Sequence, residues 1–162
     1  MNSNGLFPPI AEWGRDIQYA SYKRLLIHSF EHIFIRENDD LFEFYCYNKP
    51  ISKVCICGIV VRFEGGVKRD VIYVDDGSGE EAVRCTRYSV DILGETSVEI
   101  GLQGSVGALV VVFGMLELTE TNDKSMGLGI KSSVVEVVRD PNYEAWHWLQ
   151  AAHLAKTVYS VP

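Results

Sequence analysis

Between Ile51 and Val138 the apolar positions fall into five runs, ISKVCICGIVVRF, KRDVIYV, EEAVRCTRY, GALVVVFGMLEL and LGIKSSVVEVV, separated by polar or glycine-bearing breaks. The spacing predicts five strands. The first run is apolar on both parities with Gly58 at its centre, as expected of a strand that is buried on two faces and must bend sharply to serve two sheets. Upstream, YKRLLIHSFEHIFI (Tyr22 to Ile35) carries apolar residues at roughly helical spacing and predicts a helix, although β-formers gather at its end. FEFYCY (Phe42 to Tyr47) reads as a short aromatic strand stopped by Asn48-Lys49-Pro50. Residues 1 to 18 read as an extension that orders only if something holds it. The polar segment from Ser89 to Ser105 leaves room for a short helix between the third and fourth strands.

Five strands, a glycine-bent first strand and an excursion between the third and fourth describe a mainly β fold: a five-stranded Greek-key barrel of the OB type, with a generic β-sandwich as the alternative. Asp140-Pro141 then supplies an N-cap and a first-turn proline for a C-terminal α-helix over NYEAWHWLQAAHLAKTVY. The expected division is an N-terminal helical or extended segment over 1–40, the barrel over 41–140 and a partner-binding helix over 141–162.

The segment VDDGSGEEAVRC (Val74 to Cys85) could be a metal loop, a phosphate cradle or a tight turn. A calcium loop needs alternating oxygen ligands and a distant glutamate, and a phosphate loop needs Lys with Ser or Thr opening a helix; neither is present. A turn suffices, with Asp75 and Asp76 bonding its amides and Gly77 and Gly79 at positive φ.

Alternation about this turn assigns the flanking side chains. If Ile72 and Val74 point into the barrel, Arg69, Val71 and Tyr73 point out; across the hairpin Val83 and Cys85 point in, and Arg84, Thr86 and Tyr88 point out. Arg62, Phe63 and Lys68 lie nearby in the first hairpin. Rings for bases to stack on and cations for phosphates are what single-stranded nucleic acid requires. The same residue types also suit any half-exposed pleat.

On a wheel of about 100° per residue, Ala145, Trp148, Leu149, Ala152, Ala155 and Tyr159 form one stripe of the last helix, widened by Ala151, Leu154 and Val158 beyond what one barrel covers. The small alanines allow close approach, and Trp148 and Tyr159 are types enriched at interface hot spots. The alternative is that the stripe plugs the barrel's open end. Trp146 lies off it. His147 and His153 are six apart, a spacing that does not pair ligands on one helix face.

Composition narrows the chemistry. A net charge of −7 excludes a non-specific polyanion binder and requires any nucleic-acid contact to be local. Residues 60–89 themselves hold five Lys/Arg against six Asp/Glu, a balance that favours a protein-interaction scaffold without DNA contact as the second function class. With 47% apolar and 23% charged residues a buried core is expected, and the longest apolar run, Val106 to Gly114, is far short of the ~20 residues of a membrane span. Neither secretion nor a membrane span is predicted. Cys46, Cys55, Cys57 and Cys85 lack C-x-x-C spacing and read as reduced structural thiols. No nucleophile with a base, metal-ligand spacing or phosphate loop stands out, so neither an enzyme nor a cofactor is expected.

KPISKVCICGIVVRF, then VIYVDDGSGEEAVRC, then DPNYEAWHWLQ and the later Val158-Tyr159 together resemble the N-terminal OB domain of the Stn-type subunit of the CST telomere-capping complex, related to the middle subunit of replication protein A. The resemblance spans about Phe44 to Tyr159. Its specific part is the ordered set of Pro50-Ile51, Gly58, the VDDGSG turn and the Asp-Pro helix with its aromatics, because such a turn alone is shared by many OB proteins. Two departures stand out: the sequence stops at Pro162, before the winged-helix region common in the family, and Thr86-Arg87-Tyr88 stands where an aromatic should continue the strand. The resemblance implies maintenance of single-stranded telomeric DNA in the nucleus, at the telomeric region of the chromosome. It further implies a small OB-fold partner of the Ten type, contacted largely through the C-terminal helix, and raises a larger third subunit.

Overall fold

The computed structural model describes residues 20–38, 41–88, 105–120 and 125–159. The expected extension over 1–18 and the excursion over 89–104 lie outside the described residues. The five predicted strands form as β5 (Lys53–Glu64), β6 (Arg69–Asp75), β7 (Val83–Tyr88), β8 (Leu109–Glu120) and β9 (Met126–Val137). They run in the order β5-β6-β7-β9-β8, and β8 returns to pair with β5. This closes the OB barrel. Closure depends on β5, whose first half pairs antiparallel with β8 while its second half pairs with β6. At the changeover a Cβ on Gly58 would stand 2.5 Å from the carbonyl oxygen of Asp75, so only glycine lets the two strands approach.

The stretch 22–35 is not a helix. It divides into β1 (Lys23–Arg24), a 3-10 helix (Ile27–His32) and the start of β2 (Phe34–Asn38). Tertiary pairing overrides the apparent period: β1 lies parallel to β5, with Lys23 beside Val54, and Leu25, Ile27 and Ile33 enter the barrel's own core. Beyond it, β2 pairs with β3 (Leu41–Cys46), and β3 turns through Tyr47 and Asn48, both at positive φ, into β4 (Lys49–Ile51). The boundary expected at 40/41 therefore falls inside a hairpin. Phe44, Cys46 and Ile51 share one hydrophobic core with Val54, Ile56, Ile72, Val110 and Ile130, so this small sheet belongs to the barrel's packing unit.

The DDGSG segment is a turn with a second duty. Asp75 Oδ1 accepts the Gly77 N–H at 2.7 Å, and Gly77 takes φ +72° as expected, whereas Gly79 is not at positive φ. Asp76 is buried: its Oδ1 accepts the Ser78 N–H and O–H, and its Oδ2 accepts the Ile27 N–H at 2.9 Å. Ser78 Oγ in turn accepts the His28 N–H. The turn thus supplies acceptors to the first N–H groups of the 3-10 helix, which local sequence leaves unpaired.

The C-terminal helix α1 (Tyr143–Leu154) begins later than expected. Asp140 Oδ1 accepts the Asn142 N–H and the Asp140 carbonyl accepts the Tyr143 N–H, so Pro141 and Asn142 form a turn that leads into the helix. α1 runs into a π-helical turn, Ala155–Tyr159. Among the described residues, no helix is long and apolar enough to cross a membrane.

Candidate functional site

The outer wall of β5, β6 and β7 presents a ladder of side chains whose rows follow from strand register. One row reads Arg62, Tyr73, Arg84; the next Glu64, Val71, Thr86, Lys131; the third Arg69, Tyr88. Arg62 reaches this face because a β-bulge at Val61 shifts the pairing, so that Val60 opposes Val74 and Arg62 opposes Tyr73. The same shift turns Phe63 inward, opposite Ile72 and against the core, which removes it from the face where it was expected. Lys68 is exposed in the loop before β6. Val71 and Thr86 lie on the predicted side of the sheet, yet both are buried. Alternation fixes the side of a strand but not its depth, and the neighbours of these two short side chains are the long Tyr73, Arg84, Tyr88 and Lys131. Thr86 is therefore not accessible to a ligand.

Arg69, Arg84 and Tyr88 do converge, lining an open polar groove of about 350 Å³ with Leu118, Thr119 and Glu120 at the end of β8. These β8 residues were not anticipated. The only signal for them is the length of the β8–β9 hairpin, which carries the strand past the barrel rim. Tyr88 donates its O–H to Glu117 Oε2 at 3.3 Å, and Lys131 Nζ stands 5.3 Å from the centre of its ring. Among the described residues, the buried side-chain polar atoms without a partner are Arg84 Nε, Thr86 Oγ1 and Glu117 Oε1, and all three belong to this face. A buried unpaired donor or acceptor costs about 1–3 kcal/mol. The unpaired atoms on this face lie beside the groove, although Thr86 Oγ1 itself is out of reach of a ligand. The groove's charge is mixed: Glu120 lines it beside Arg69 and Arg84, and Glu117 accepts the Tyr88 O–H.

A second surface lies on α1. His147, Ala151, Leu154, Val158 and Tyr159 face the barrel, while Ala145, Trp148, Leu149 and Ala152 face outward. The predicted stripe thus splits, and Tyr159 and Ala155 are turned against the core rather than toward a partner. The π-turn is the reason. Its i→i+5 pitch advances fewer degrees per residue than the regular wheel assumes, bringing Tyr159 round to the side of Ala151. Leu149 is 71% exposed, and with Trp148, Ala145, Glu144 and Asp76 it lines an open, mostly apolar concavity of about 540 Å³. Trp146, off the stripe, is exposed on one side and carries the Arg24 guanidinium 4.6 Å from its ring centre.

Arg24 fastens this helix. Its guanidinium donates to His147 Nδ1 at 2.8 Å, and its backbone N–H donates to the Tyr159 hydroxyl at 3.1 Å. Because Arg can only donate and a carbonyl can only accept, the fully buried His147 must be neutral with its proton on Nε2, which donates to the Leu25 carbonyl at 3.1 Å. Burial pushes the His147 pKa below its ordinary 6.5, and the Arg24 charge pushes the same way against the raising effect of the Leu25 carbonyl. Below about pH 6.5 the unfolded chain therefore binds a proton that the folded chain refuses, so stability falls as pH drops through that value and levels off above it. Urea titrations at pH 5 and pH 7.5 should show this loss, and His147→Gln, which keeps a donor and an acceptor without titrating, should reduce it. An equal loss in both proteins would remove His147 as its source.

The cysteines are free and buried. Burial raises the Cys46 and Cys55 thiols to about 11 and Cys57 to about 12, and raises Cys85 as well, so all four are protonated at neutral pH.

A five-stranded barrel closed by β5 with β8, carrying a polar groove on its wall and an apolar helix face at its end, defines an OB-fold protein. By family profile the chain belongs to the telomere regulation protein Stn1 family, which matches residues 29–161. It is a telomere-regulation protein. Among solved structures it is similar to a chain of the S. pombe Stn1-Ten1 complex, 19% identical with a TM-score of 0.67, covering 86% of this chain and 94% of that one. It is also similar to a chain of the yeast Stn1 and Ten1 structure, 21% identical with a TM-score of 0.65, covering 94% of this chain and 82% of that one. A third similarity is to a chain of a replication protein A heterotrimer bound to single-stranded DNA, 17% identical with a TM-score of 0.64, covering 85% and 98%. At these identities the solved structures establish the fold. No curated protein sequence matches the chain.

Proposed function

We propose that this chain is a nuclear telomere end-protection subunit that binds single-stranded telomeric DNA on the outer wall of β6 and β7, and that the outward face of α1 joins it to a small Ten-type OB partner. The observation that carries the DNA reading is the groove where Arg69, Arg84 and Tyr88 meet, with Arg84 Nε buried and unpartnered there. Two cations and a ring are what a phosphate and a stacked base require. Membership of a telomere-regulation family supports the choice of telomeric DNA. For the partner, the support is an apolar helix face beside a concavity large enough to take side chains, and structural similarity to proteins solved with a small partner.

Fluorescence anisotropy with labelled single-stranded telomeric and scrambled oligonucleotides, across a salt series and with and without a co-purified small OB partner, tests it. Binding should be weak alone, tighten with the partner and weaken with salt. Arg84→Ala and Tyr88→Ala should each reduce affinity about fivefold or more, in keeping with ~1–3 kcal/mol per stacked base. Unchanged affinity in both variants would misplace the site.

A second reading, a protein-interaction scaffold whose barrel touches no DNA, is favoured by the net charge of −7 and by Glu117 and Glu120 at the groove. It predicts a stable heterodimer with no oligonucleotide binding at any salt.

A further inference from the structure

Tyr73, one of the two rings that sequence alternation turns to the outer wall, is already engaged. The Arg62 guanidinium carbon lies 3.9 Å from its ring centre, within cation–π range, so one face of Tyr73 is covered. The Arg62 side chain nonetheless stays about half exposed, which leaves guanidinium surface free on the side away from the ring. Arg62 is also held from the side, its terminal nitrogen 2.6 Å from Glu64 Oε1, with both side chains about half exposed. Glu64 sits two residues along β5 on the same face, in the row of Val71 and Thr86, and its carboxylate occupies the edge of the guanidinium that a phosphate would use.

We propose that Arg62, rather than Tyr73, is the surface on which an incoming base stacks, and that Glu64 is a positioning residue that holds Arg62 against Tyr73 and yields its guanidinium edge to a phosphate when the strand arrives. This rests on the DNA-binding reading given above. Guanidinium planes stack bases as aromatic rings do, and Arg62 is pre-ordered for that by the ring beneath it. An exposed ion pair is weak, so a phosphate can displace the carboxylate. The bulge at Val61 is what makes the arrangement possible, since without it Arg62 would point into the barrel.

The test uses the full chain, alone and with its co-purified partner, and a labelled single-stranded telomeric oligonucleotide in a salt series. Wild-type binding is measured first. If neither form binds at any salt, the DNA-binding reading and this proposal fall together. Given binding, Arg62→Ala should weaken it about fivefold to a hundredfold. Arg62→Lys keeps the charge without the plane, and should lose most of that affinity while retaining the wild-type salt dependence. Glu64→Gln should tighten binding about threefold while leaving the slope of log K against log salt unchanged, because Arg62 neutralises the same phosphate in both complexes. In the Arg62→Ala background the Glu64→Gln gain should vanish. A gain that persists there would mean simple repulsion between Glu64 and the strand, and would overturn the latch. Arg62→Lys binding as tightly as wild type would overturn the stacking role. Unchanged melting temperatures in all variants would separate these effects from loss of fold.

Discussion

A Gly58→Ala variant is expected to lose about 3 kcal/mol or more of folding stability, or to fail to fold. The added methyl would stand 2.5 Å from the Asp75 carbonyl oxygen and 2.7 Å from its carbon, both backbone atoms that cannot rotate away. Relief requires β5 and β6 to separate where β5 changes partners, and that junction also aligns Asp76 with the 3-10 helix. The damage should spread to the N-terminal segment. Chemical denaturation reads the effect through a lower midpoint. Ala108→Gly, in the loop just before β8, serves as a comparison, being a change of the same size with no such clash. A midpoint for Gly58→Ala within experimental error of wild type would show that the barrel can bend without this contact.

The other large effect is expected at the helix. Trp148→Glu and Leu149→Glu should each abolish co-purification with a small OB partner while leaving the melting temperature of the isolated chain nearly unchanged. The two side chains are 37% and 71% exposed, so a charge there meets water in the monomer. In a heterodimer it would be buried without a counter-charge, beside Glu144 and Asp76 that already line the concavity. Truncating one hot-spot aromatic removes ~2 kcal/mol or more, and introducing a charge adds its desolvation. Arg24→Ala should act on the same surface indirectly, by loosening α1 from β1. Retained co-purification of Leu149→Glu would place the partner elsewhere.

Much of the barrel was legible because its physics is local. Period-two alternation, the apolar run of β5 and the single glycine at its middle are all written in short windows, and they correctly produced five strands and a first strand shared between two pairings. What alternation could not show was anything that depends on a partner far along the chain. The segment 22–35 looks helical by period but is drawn into strand and 3-10 geometry by β5 and by the side chains of Asp76 and Ser78. The bulge at Val61 leaves no mark in composition, yet it decides that Arg62 faces out and Phe63 faces in. His147 looked like a bystander at a spacing useless for metal. Its importance lies in Arg24, distant in sequence, which buries it as a neutral acceptor. Tyr159 was misplaced because a wheel assumes constant pitch and the helix ends in a π-turn.

The pairing of β5 with both β6 and β8 also sets the timing of folding. Lys53 meets Met115 and Ile59 meets Leu109, so half of β5 waits for partners encoded far downstream. During synthesis the β5–β6–β7 meander can form as it leaves the ribosome, but its apolar inner face stays uncovered until β8 and β9 emerge. Closure therefore follows the synthesis of β8 and β9, and until then the inner face of the meander has no strand partner to cover it.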